Sequence, residues 1–149
     1  MVITMDNNLK RSIILEHYQH PHHRGLVDDK SYIKANMNNE SCIDELNVMV
    51  KEEDGILKDI RFDGEACALC ISSASIMTDT LIGKKIEDVE KILTNFLNMA
   101  TEKPYDEKLL EEAIVYNDVS KSPNREKCVL LSWWAIEKIL NELKDKKHK

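Results

Sequence analysis

The chain has 149 residues with a net charge of −6, 42% hydrophobic and 32% charged. That size and mix suit one globular domain, able to bury roughly two-thirds of its unfolded surface without disulfide staples. The acidic balance argues against a nucleic-acid binder, and no apolar run approaches the ~20 residues that span a bilayer, so no membrane role is expected.

Taken in chain order, "MVITMDNNLKRS" lacks the apolar core of a signal peptide, and a cytoplasmic location is the default expectation. "LKRSIILEHYQH" places Leu9, Ile13, Ile14, His17 and Tyr18 near one helical face, with Pro21 and Gly25 ending it. Arg24 to Asn39 is polar and irregular, with a strand start at Tyr32 and Ile33. "LNVMVKEEDGILKDIRFD" reads as a hairpin. Leu46, Val48 and Val50 alternate with Asn47 and Met49, and Asp54-Gly55 makes the turn. Gly64 breaks the strand. "CALCISSASIMTDTLI" then reads as a helix of small residues ending near Gly83.

Ile86, Val89, Leu93, Phe96, Leu97 and Ala100 share one face of a further helix. A short helix is expected over Glu107 to Tyr116. The last helix starts near Ser122-Pro123, a cap and first-turn pair, and runs through Cys128, Leu131, Ala135, Ile139 and Leu143. Strands precede most helices, which predicts α+β architecture: a small antiparallel sheet with helices packed on one face. The expectation is a single domain, 1–149, with 1–8 and 144–149 frayed; the Lys-rich end "KDKKHK" reads as solvated.

Four cysteines in a cytosolic chain stay reduced and open to chemistry. Cys67 and Cys70 raise three readings: a redox dithiol, half of a zinc clip, or one working cysteine beside a passenger. A dithiol wants a helix N-terminus, which Cys67 has, but also a βαβ setting, where a hairpin stands instead. A closed four-cysteine zinc site lacks a second Cys-x-x-Cys knuckle. Cys42 and Asp44 in "SCID" can both face one centre, or they are a small buried residue and a turn former. As a ligand, Asp44 would be the weaker donor, suited to a site that must open. "HYQHPHH" looks like a metal cluster, but its histidines straddle Pro21, and surface or capping roles are expected for them.

These signals form one pattern in proteins that assemble iron–sulfur clusters. From about Leu9 to Ile139 the chain resembles the U-type scaffold superfamily, most closely its SufU branch. "IILEHYQHPHHRG" is similar to that family's helix and "DHYxxPRNxG" stretch, with His22 and His23 replacing Arg and Asn. "NESCID" resembles "NPxCGD", with Glu40 and Ile43 replacing Pro and Gly. "GEACALCISSASIMT" resembles the Gly-x-x-Cys helix, and "SPNREKCVLLSWWAIEKIL" the "RxKCxxLxW" helix. Lys127 stands where Isc-type scaffolds carry His, and Ala100 to Val119 fills the place of the SufU insertion.

The resemblance implies a Cys3Asp zinc site of Cys42, Asp44, Cys67 and Cys128, with Arg125 steadying Asp44 or a sulfur intermediate. It implies a zinc-dependent sulfurtransferase that accepts persulfide sulfur on Cys42 from a PLP-dependent, SufS-like cysteine desulfurase, whose histidine takes a zinc position and frees that cysteine. Downstream Fe–S assembly proteins would receive the sulfur. A non-enzymatic scaffold building a [2Fe–2S] cluster on the same thiolates is the alternative, and a structural zinc or interaction module without turnover a third. Ile43 does not readily take the positive φ a Gly allows, so the Cys42–Asp44 loop is expected to differ in shape. Cys70 replaces a usual Ser and is expected to be a neighbour of the site rather than a ligand.

Overall fold

A computed structural model describes residues 6–39 and 44–147; Cys42 and Ile43 lie outside the described residues, as does His148. The elements are α1 (Asn7–Gln19), β1 (Tyr32–Asn38), β2 (Glu45–Glu53), β3 (Ile56–Glu65), α2 (Ala68–Leu81), α3 (Ile86–Ala100) and α4 (Pro123–Lys147). Three 3-10 turns, Glu107–Leu109, Glu111–Tyr116 and Val119–Lys121, lie between α3 and α4. They replace the single short helix expected there. Glu111 sits at φ 50°, and that left-handed residue divides the segment.

The sheet has the order β1-β2-β3, antiparallel throughout. The Asp54-Gly55 turn joins β2 to β3 as its composition demands, both residues at positive φ. Leu46, Val48 and Val50 alternate along β2 and are all buried. α4 packs on β1 and β2, and α2 packs on β3, α1 and α4. The other side of the sheet is partly covered too. Val27 N–H donates to Met49 Sδ at 3.4 Å, and Met49 is buried. Residues 23–25 run beside the β3 edge, where Phe62 N–H donates to His23 O at 3.2 Å and Gly25 N–H to Phe62 O at 2.8 Å.

α2 is the pillar of the molecule. Of its fourteen residues only Ala68 and Asp79 are exposed, which its small side chains permit because neighbouring elements approach closely. Three of its buried serine hydroxyls are bonded to three different parts of the fold. Ser72 Oγ meets the Tyr116 hydroxyl at 2.6 Å. Ser73 Oγ donates to Val129 O at 2.6 Å and accepts from Trp133 Nε1–H at 3.1 Å. Ser75 Oγ meets His17 Nδ1 at 2.7 Å.

Trp133 is fully buried and stacks on Phe96, with centroids 3.8 Å apart and planes at 14°. Trp133→Phe removes the donor to Ser73 and leaves a small void. It is expected to cost about 1–3 kcal/mol in a denaturant melt. An unchanged midpoint would show that the indole N–H carries no stability.

Candidate metal centre

Three chain segments meet at one end of α2. Asp44 is the last residue of the β1–β2 connection and precedes β2; its carbonyl accepts from Asn39 N–H at 3.0 Å, closing the base of that connection. Cys67 follows β3 and caps α2, with extended backbone at φ −70°, ψ 169°. Cys128 lies in the second turn of α4, brought there by the packing of α4 on α2 and the sheet.

One donor atom each from Asp44, Cys67 and Cys128 lies within 4.8 Å of the other two. Asp44 is 2% exposed. Its Oδ1 accepts from Cys67 N–H at 2.8 Å, while its Oδ2 is buried with no hydrogen-bond partner among the described residues. A buried, half-satisfied carboxylate carries a desolvation cost that a cation would offset.

The electrostatics lead the same way. The Cys128 thiol is pushed far up, first by burial and then by the adjacent Asp44 and Cys67. Without a cation this pocket disfavours a second negative charge. With Zn–S bonds of about 2.3 Å, tetrahedral donors stand roughly 4 Å apart, so small side-chain shifts would let one ion reach all three. The donor set of thiols and one carboxylate fits a zinc-type ion. Cys67 also sits at the positive, N-terminal end of α2.

Cys70 is fully buried one turn into α2 and is not among the converging donors. No disulfide joins it to Cys67. Arg125 is exposed on the first turn of α4. Tyr116 carried no sequence signal. It is buried, its phenol pKa is raised mainly by burial and further by the nearby cysteines, and its hydroxyl meets Ser72. A neutral phenol at this depth adds no charge beside the thiols.

The histidines behave unevenly. His20 is exposed and caps the C-terminus of α1, as expected. His17 is buried instead, with Nε2 2.7 Å from Glu112 Oε1. No described helix is long and apolar enough to cross a membrane.

The chain is 37% identical over 133 residues to the zinc-dependent sulfurtransferase SufU of Bacillus subtilis, covering 89% of each protein. It is 31% identical over 130 residues to the iron–sulfur cluster assembly scaffold protein IscU of Thermotoga maritima, covering 87% of this chain and 91% of that relative. The crystal structure of a cluster assembly scaffold protein for the SUF system from Fervidobacterium islandicum superposes with a TM-score of 0.80 at 28% identity, covering 84% of this chain and 91% of the other. The family model for the NifU-like N-terminal domain matches residues 9–129, and the chain belongs to that family.

Proposed function

We propose that this protein serves iron–sulfur cluster assembly as a zinc-dependent sulfurtransferase, accepting persulfide sulfur on Cys42 from a SufS-like, PLP-dependent cysteine desulfurase in the cytoplasm. The observation that carries this reading is the convergence of Asp44, Cys67 and Cys128, with one Asp44 oxygen buried and without a hydrogen-bond partner among the described residues. Cys42 completes the set, two residues before Asp44 in the β1–β2 connection. Zinc bound there would keep the cysteine sulfurs as thiolates near neutral pH, where a thiol of pKa about 8.5 is mostly protonated.

Asp44 is held by Cys67 N–H through Oδ1, and its Oδ2 is buried with no hydrogen-bond partner among the described residues. Cys67 and Cys128 rise from two helices fixed against each other. Those three form the stationary part of the site. Cys42, carried by the connection between strands, supplies the reacting sulfur. Its thiolate attacks the outer sulfur of the desulfurase's cysteine persulfide. A new S–S bond forms on Cys42, the donor's S–S bond breaks, and the donor cysteine leaves as thiolate. A reductant or a thiol of a downstream assembly protein then takes the sulfur, and Arg125, exposed one turn before Cys128, is the residue proposed to steady the anionic intermediate.

The alternative is a scaffold that builds a [2Fe–2S] cluster on the same donors; the Thermotoga maritima relative is named an iron–sulfur cluster assembly scaffold protein. Metal analysis with a desulfurase assay decides between them. The sulfurtransferase reading expects zinc in the protein as purified and faster sulfide release by the desulfurase, lost in Cys42→Ala. It is overturned if zinc is absent and iron with sulfide yields a stable cluster while desulfurase turnover is unchanged.

A further inference from the structure

We propose that His17, His22 and Asp79 form a second site, for a divalent first-row transition-metal ion, separate from the cysteine site. The three donors come from α1, from the loop that follows it, and from α2. One donor atom of each lies within 4.8 Å of the others. His22 Nδ1 stands 2.6 Å from Asp79 Oδ2. The His17 and His22 rings are 4.8 Å apart, tilted rather than stacked.

The surroundings have the form of a ligand shell. Metal-bound imidazoles usually give their second ring nitrogen to a carboxylate, which sets the tautomer. Glu112 does this for His17, holding Nε2 at 2.7 Å and turning Nδ1 toward the cluster. The Ser75 hydroxyl now meets that Nδ1 at 2.7 Å and also accepts from His22 N–H at 2.8 Å, fixing the loop that carries the second imidazole. His23 Nδ1 meets Thr78 Oγ1 at 2.9 Å and lies 3.6 Å from Asp79 Oδ1, so the other carboxylate oxygen is steadied too. Two carboxylates, Asp79 and Glu112, balance the charge of a dication.

Access is asymmetric. The His17 side chain is 5% exposed, while those of His22 and Asp79 are 48% and 37% exposed. An ion can therefore enter from solvent and find one preorganised, buried ligand behind two accessible ones. Two imidazole nitrogens and one carboxylate oxygen suit zinc, nickel, cobalt, copper or iron(II), and not magnesium or calcium. Asp79 follows Cys67 by twelve residues, about 18 Å along α2 at ~1.5 Å per residue. The two sites therefore share a helix but no ligand. His22 stands where the resembled family pattern has Arg, so this donor set is not part of that pattern.

The test is zinc stoichiometry in tag-free protein already carrying one equivalent, by calorimetric titration and elemental analysis. The wild type is expected to reach two equivalents, and His22→Ala and Asp79→Asn, both at accessible positions, to stop at one. Imidazole 15N resonances of His17 and His22 should shift with the second equivalent while those of His20 hold still. A wild type that saturates at one equivalent, variants that reach two, or unmoved His17 and His22 resonances would each overturn the second site. Cys67→Ser should lose the tight equivalent yet keep the histidine shifts, so failure of the cysteine-site reading is separable from failure of this one.

Discussion

Gly64→Ala is expected to lower the stability of the protein steeply and to weaken metal binding at the cysteine site with it. Gly64 adopts φ +151°, a conformation L side chains rarely take, and a Cβ there would fall 2.0 Å from Glu45 O and 3.1 Å from Leu46 Cα. Those are backbone atoms of the paired strand, so nothing flexible can yield; the strands themselves must part. Strain of ~1–3 kcal/mol and overpacking of ~1–3 kcal/mol give a loss of roughly 2–6 kcal/mol, against a usual total of about 5–15 kcal/mol. The displaced residue, Glu45, immediately follows Asp44, so the distortion enters the site directly. A urea melt with zinc analysis of the folded fraction measures both effects. Gly55 is the control. It too has positive φ, 79°, but no atom lies within 4 Å of its would-be Cβ, so Gly55→Asn should fold nearly as well as the wild type. Equal midpoints for Gly64→Ala and the wild type would contradict the close approach of β2 and β3 described above.

The second large effect is Asp44→Ala, whose two consequences have opposite sign. With metal present, the variant loses a donor and the acceptor that holds Cys67 N–H. Removing outer partners of a metal site alone costs roughly 10–100-fold in affinity, so losing a ligand should cost about 100-fold or more. With metal removed, Asp44 is a buried carboxylate whose second oxygen has no hydrogen-bond partner among the described residues. Its deletion then relieves a desolvation cost, and the metal-free variant should melt no earlier than the metal-free wild type. A chelator competition followed by thermal melts of both forms reads the pair of outcomes. Retained zinc in Asp44→Ala would remove this carboxylate from the ligand set. Cys70→Ser supplies the contrast. Cys70 is buried but stands apart from the converging donors, so that variant should lose some stability and keep its zinc. Loss of zinc there would move Cys70 into the site.

Local pattern made much of the fold legible. The alternation of Leu46, Val48 and Val50, the Asp54-Gly55 turn and the apolar face of α3 rest on interactions within a few residues, and each appears as read. The division of 107–116 into 3-10 turns was not legible, because it hangs on a glutamate, Glu111, at positive φ where sequence patterns look for Gly or Asn. Among the histidines, the burial of His17 was missed for a related reason. His17 finds Ser75 and Glu112 across long stretches of chain, and no spacing rule reports such contacts. Within the cysteine site, Cys67 at a helix start was readable locally. Its meeting with Asp44 and Cys128 followed from resemblance alone, since only the packing of α4 on α2 and the sheet creates it.

The hydroxyls of α2 have a consequence for how the protein can be loaded. Ser72, Ser73 and Ser75 tie the helix to Tyr116, to Val129 with Trp133, and to His17, on successive sides of its axis. A slip of one residue turns a helix by about 100° and would break every one of these ties at once. The serines thus act as a rotational lock, and the angle at which Cys67 faces Cys128 is set before any ion arrives. Metal uptake at that end is then a local docking onto a finished frame, and chelation should empty the centre without loosening the helices around it.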